Sequence, residues 1–225
     1  MTDKRAFMRA VLNHVEGHGI DGWSHSENSD RHDYTVTLTG GGTAVIEQKG
    51  CLDGNNVNIS ERPPNADEFY IWGICTNKGS DIAHGIRSAI NRLTADMIAT
   101  GKRVDGIIIS DMMCGDTARP CPKLAAAPQR ATALNQFNLP PPCLYLFPAT
   151  VAHARLNAKP ELRTLASLKF ASVLMKQFNG NAEDVNFVEY EARKVGDRTQ
   201  RRMKVHRNGA EVTKSNWSVL KRVDG

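Results

Sequence analysis

Apolar and polar positions along this chain follow two periods, and these predict its elements. Phe7, Met8, Val11, Leu12 and Val15 recur at helical spacing, so residues 4–16 read as an amphipathic helix ended by Gly17 and Gly19. Residues 20–32 are polar and show no period. "YTVTL" (34–38) alternates and is rich in β-branched residues, "GGG" (40–42) turns the chain, and "TAVIEQK" (43–49) returns, which predicts a hairpin. After a long polar loop, "EFYIWGIC" (68–75) is apolar enough for a buried strand. Ile82, Ile86, Ile90, Leu93 and Met97 step by three and four, giving a helix with Ser80 as N-cap, Asp81 in the first turn and Gly101 as its stop. "VDGIIIS" (104–110) follows as a strand for the inside of a sheet covered on both faces.

The second half is less regular. Residues 115–142, rich in Pro and Ala, read as a connecting loop, and "CLYLF" (143–147) as a strand. Leu162, Leu165, Leu168 and Leu174 after Pro160 predict a helix over 161–178. "VNFVEYEA" (185–192) alternates, and "QRRMKV" and "AEVTKS" form a basic hairpin turning at Asn208-Gly209. Neither an internal repeat nor a linker interrupts the chain, which predicts one α/β domain over 1–225: a core over 1–150 and a basic extension of helix plus hairpin over 151–225.

Composition narrows the classes. A chain of 225 residues with 40% hydrophobic and 24% charged residues supports one substantial globular core. The longest apolar runs are too short for a bilayer, and the N-terminus lacks a signal-peptide apolar region, so the expectation is a cytoplasmic protein without membrane contact. Five scattered cysteines, an odd number, argue against a disulfide framework and suit a reducing cytosol. Cys114 and Cys121 are spaced too widely for a typical zinc pair. The net charge of +5 is unevenly spread: residues 1–150 balance at −2 and residues 151–225 at +7. Such a basic second part fits a polyanionic partner, nucleic acid being the commonest, or simply a solvated surface.

The chemistry gathers at the first hairpin. Glu47 and Lys49, two apart on one strand, share a face, and Asp33 begins the strand that pairs with them. Two carboxylates can hold a hard cation such as Mg²⁺, and a neighbouring ammonium can bind phosphate or help activate water. The plainer reading is a same-face ion pair at a strand end with Asp33 capping a turn. In this order of elements, Asp33 followed by Glu-x-Lys resembles the PD-(D/E)xK nuclease superfamily, which includes most type II restriction endonucleases, over about residues 4–110. The resemblance implies a core of αβββαβ order, a mixed sheet flanked by helices. It implies Asp33 and Glu47 as Mg²⁺ ligands and Lys49 as the catalytic lysine. His32 stands where many members carry Pro, Asp30 competes with Asp33, and Glu16 is the only candidate for a first-helix glutamate.

Other residues carry less. Asn55, Asn56 and Asn58 can read base edges or satisfy turns. Asp111 ends a strand, where a catalytic acid or a loop cap fits. "TGGGT" lacks the Lys-Ser/Thr of a P-loop, and the histidines show no metal-binding spacing. The expectation is a Mg²⁺-dependent endonuclease on double-stranded DNA, of type II restriction kind. Residues 193–222 would grip phosphates, and a homodimer is expected for a palindromic target. The alternatives are a structure-specific repair or recombination nuclease, a non-catalytic nucleic-acid-binding module, and an α/β enzyme acting on another substrate.

Overall fold

The two periods of the sequence sort onto a large mixed sheet and the helices that cover it. The computed structural model describes residues 4–26, 32–52, 62–75, 81–111 and 122–220. Helix α1 (Lys4–Val15) leads into β1 (Ile20–His25), β2 (Tyr34–Leu38), β3 (Thr43–Lys49) and β4 (Glu68–Cys75), and α2 (Ile82–Thr100) returns the chain to β5 (Gly106–Asp111). Short α3 (Pro122–Ala126) and a small hairpin, β6 (Thr132–Leu134) with β7 (Phe137–Leu139), precede β8 (Cys143–Leu146) and α4 (Lys169–Gln177). A meander closes the chain: β9 (Val185–Val195), β10 (Arg198–Arg207), β11 (Ala210–Lys214) and β12 (Ser218–Val219). Apart from β6 and β7, the strands share one sheet, in the order β1-β2-β3-β4-β5-β8-β9-β10-β11, with β12 beside β10.

Strands β3, β4 and β5 run parallel, with antiparallel β2 and β8 as their outer neighbours. Alternation sends Tyr34, Val36, Ala44, Ile46, Tyr70 and Trp72 to one face, under α1 and α4. Val45, Phe69, Ile71 and Ile107 go to the other, under α2. Every residue of β4 is buried, as its unbroken apolar run requires. Among the described residues, no helix is long and apolar enough to cross a membrane.

Several expectations change. β1 adds a fourth strand between α1 and α2, because "IDGWSH" forms an edge strand, partly exposed, whose Gly and Asp hide its pairing with β2. β6 and β7 are too short to show alternation. Asp81, rather than Ser80, caps α2, accepting from the His84 N–H at 2.9 Å; Ser80 lies outside the described residues. Gly101 ends that helix as expected, in the left-handed region at φ 73°. The helix predicted over 161–178 begins only at Lys169. There the Glu68 carboxylate takes the Lys169 and Phe170 N–H groups, at 2.6 and 3.1 Å, and so fixes where the helix starts. Upstream, Arg163 is drawn to buried Asp105 at 2.6 Å.

The basic hairpin turns at Asn208-Gly209 as expected, both at positive φ. On the face of β9 and β10 away from α2, alternation builds a charge lattice. Arg202 stands opposite Glu191 and Lys204 opposite Glu189. Glu191 pairs with Arg202 and with Lys204 at 3.2 Å; Glu189 takes Lys159 at 3.1 Å and His206 at 2.8 Å. Burial alone would raise the Glu191 carboxyl, but the hydrogen bonds from Arg202 and Lys204 prevail and hold it down at about 2, against an ordinary 4.5. The folded state therefore binds fewer protons than the unfolded chain across this interval. Its contribution to stability is complete above pH 4.5 and is lost as pH falls toward about 2. The urea midpoint is expected to stay level from neutral pH to about 5 and then fall, and Glu191→Gln should flatten that fall.

Candidate active site at the open end of β3

The ladder between β3 and β2 stops earlier than the ladder between β3 and β4. Its last pair is Tyr34 with Ile46, whereas the pairing with β4 continues to Lys49 with Gly73. Among the described residues, Glu47, Gln48 and Lys49 thus have a strand on one side only. Asp33, just before β2, fills part of the gap. Its N–H donates to the Ile46 carbonyl at 2.9 Å, and its Oδ2 accepts the Gln48 N–H at 2.5 Å. The carboxylate substitutes for the missing strand. It is also brought against the three-residue segment centred on Gln48.

Glu47 and Lys49 follow the parity of Val45, toward the face covered by α2, and their side chains form an ion pair. Glu47 is only 7% exposed, and the Lys49 side chain is 24% exposed. His32 leans back on this end, its Nε2 at 2.8 Å from Thr35 Oγ1. Lys4, first residue of α1, reaches over Gly50: a Cβ at Gly50 would lie 3.3 Å from the Lys4 Nζ. The glycine that follows Lys49 leaves room for a second ammonium.

Two carboxylates and an ammonium from adjacent strands are a donor set suited to a hard cation that keeps part of its water shell. Asp33 and Glu47 would be its protein ligands. Among the described residues, no group of three or more His, Cys, Asp or Glu side chains is placed to hold a metal ion. Glu16 does not join the corner. It bridges to Ile20, which pairs with Leu38 at the other end of β2, one helix length from Lys4. Asp30, Asn55, Asn56, Asn58, Cys114 and Cys121 lie outside the described residues, as does the side chain of Asp111.

Sequence reading missed what shares this end of the sheet. Register carries the row from Lys49 through Gly73, Ile109 and Cys143 to β9 and β10, where Arg207 donates to Asn186 Oδ1 at 2.9 Å. Burial and the Cys143 thiol push the Tyr145 hydroxyl up, while the charges of Arg207 on β10 and Arg87 on α2 pull it down. Much of the basic segment is already committed: Arg201 to Asn91 at 2.6 Å, Arg202 to Glu191, and Arg193 and Arg202 over the Trp217 ring at 4.0 and 4.6 Å. Arg193, Lys194 and Arg198 are exposed, but they flank the β9–β10 turn at the opposite end of the sheet.

A cleft of about 760 Å³ also opens at that opposite end, lined by Arg62, Asp67, Glu68, Asp105, Arg163 and Lys169 among others. Its buried acids serve the fold. Asp105 takes the Phe69 N–H and Arg163, and Glu68 holds the start of α4.

The scattered cysteines argue against a disulfide framework, yet Cys51, two residues after Lys49, is bonded to Cys75 at the end of β4, while Cys143 is free. Compared with known families, curated proteins and solved structures, the chain matches no family model, no curated protein and no solved structure.

The Glu47–Lys49 pair is partly desolvated, so it should couple more strongly than a surface pair. A double-mutant cycle with Glu47→Gln and Lys49→Met, read by urea unfolding, is expected to give about 1 kcal/mol. Asp33→Ala should cost a similar amount, about 1 kcal/mol, by leaving the Gln48 N–H without its acceptor.

Proposed function

We propose that the chain is a Mg²⁺-dependent endonuclease that hydrolyses DNA phosphodiester bonds, most like a type II restriction enzyme cutting a specific duplex sequence. The observation that carries this reading is the open end of β3: Glu47 beside Lys49, with Asp33 bonded to the residue between them. Asp33 and Glu47 would hold the cation. When bound, Mg²⁺ supplies Lewis acidity toward the scissile phosphate. Lys49, paired with Glu47, would bring its ammonium to the same spot. There it orients the attacking water, helps remove its proton, and donates to phosphate oxygens that gain charge. Lys4, from the other face of the sheet, adds a second cation for a flanking phosphate.

The row at this end of the sheet supports a duplex-length substrate. From β3 to β10 there are five strand steps, about 24 Å at the usual spacing. That is close to seven base-pair steps along a duplex axis, at about 3.4 Å each. Arg87 and Arg207 would then hold a phosphate well away from the cut. A palindromic target would engage two copies of the chain.

The test is digestion of a long unmethylated phage DNA. Discrete bands are expected that require Mg²⁺, vanish in EDTA, and weaken at least about 10²-fold in Lys49→Ala. A Mg²⁺-dependent smear lost in the variant would keep the site and discard sequence specificity. No cleavage of several DNAs would overturn the reading. Binding in EDTA adds a second check: joint replacement of Arg87 and Arg207 by Gln should lower the salt slope by about 2.

A further inference from the structure

The backbone ladder that holds Lys49 continues beyond its last hydrogen-bonded pair as a covalent bond. The register of β3 with β4 runs Glu47 opposite Ile71 and Lys49 opposite Gly73. One step further along the same line, Cys51 meets Cys75, Cα to Cα 4.2 Å, and the two are joined. Leu52, the next residue, is buried and folds back over β4; a Cβ on Gly73 would lie 3.1 Å from its side chain. Among the described residues, the open side of β3 has no strand after Ile46. Beyond β4, the Asp33 carboxylate and the packing of Leu52, this bond is a further tie on residues 47–52.

The bond is not a framework in the sense used by small secreted domains. Among the described residues it is the one such linkage, and the sheet carries a core on each face without it. An isolated bond of that kind, set beside a reactive corner, fits a reversible role better than a structural one. Its two ends differ: Cys51 is half-buried and Cys75 buried. Cys51 is thus the more exposed end, and the one a dithiol would attack.

We propose that the Cys51–Cys75 disulfide is a redox switch on the open end of β3, active when oxidised. The step rests on the nuclease reading for its functional consequence and on the fold alone for its mechanism. A thiolate of a dithiol reductant attacks Cys51 Sγ. The S–S bond breaks, and Cys75 leaves as a thiolate that takes up a proton. The second thiol of the reductant then displaces Cys51, closing the reductant into a cyclic disulfide. In total two electrons and two protons pass from the dithiol to the protein. Once reduced, Gly50, Cys51 and Leu52 lose their tether to β4, and Lys49 loses the fixed position it needs beside Glu47.

The experiment compares the full chain, oxidised and after dithiothreitol, by peptide mapping, Mg²⁺-dependent DNA cleavage and backbone hydrogen exchange. The expected result is a mapped Cys51–Cys75 link, with exchange at residues 47–52 faster after reduction and little change in β10. Cleavage should slow about tenfold, as misplacement of a positioned group predicts, and return on reoxidation. Cys51→Ser with Cys75→Ser should behave like the reduced chain in both conditions, and Cys143→Ser should keep the response. A missing link in the nonreduced protein overturns the proposal. So does exchange that ignores reduction, or a response that survives in the double serine variant. If exchange responds but no form cleaves DNA, the nuclease reading fails and the switch stands as a conformational one. If cleavage is robust and indifferent to reduction, the switch fails and the nuclease reading stands.

Discussion

The molecule turns on the unequal length of two ladders. β3 is held by antiparallel β2 up to Ile46 and by parallel β4 up to Lys49. Among the described residues, the difference leaves three residues of a central strand without a strand neighbour along one edge. A backbone N–H left open there must find an acceptor. Asp33 provides it at Gln48, and that bond holds a carboxylate against the backbone between Glu47 and Lys49. The structural need and the chemical opportunity have one cause. The plain reading of Asp33 as a cap and the catalytic reading are compatible, since one carboxylate oxygen serves the backbone.

The rest of the fold serves this edge. Parallel β3, β4 and β5 end together, as crevice-forming strands do in α/β proteins. α2 covers one face and begins near that end, and α1 covers the other and places Lys4 over Gly50. The meander of β9 and β10 extends the row to Arg207, its orientation fixed by Glu189 and Glu191 between their cations. At the opposite end, Asp105 and Glu68 spend their charge on internal bonds. The cleft there is therefore a weaker candidate for chemistry than the corner at the end of β3.

Period alone made much of this legible. α1, β2, β3, β4, α2 and β5 follow from spacing, and the shared side of Glu47 and Lys49 follows from strand alternation. What stayed hidden depends on contacts distant in sequence. β1 pairs through its backbone, so its side chains carry little signal. The start of α4 is set by Glu68, a hundred residues upstream. Cys51 and Cys75 meet only because β3 and β4 are neighbours in register. Arg207 shares the site's end of the sheet because the strand order β5-β8-β9-β10 is a tertiary fact. Glu16 reads as a site residue in sequence and falls at the far end because α1 runs its full length away from Lys4.

The central claim is that the open end of β3 holds a divalent cation between Asp33 and Glu47. Anomalous diffraction from crystals of the chain grown with a DNA duplex and Mn²⁺ tests it most directly. The account predicts a peak within bonding distance of both carboxylates, with Lys49 beside it. A Mn²⁺ peak elsewhere on the protein, with this corner closed by its ion pair, would contradict it.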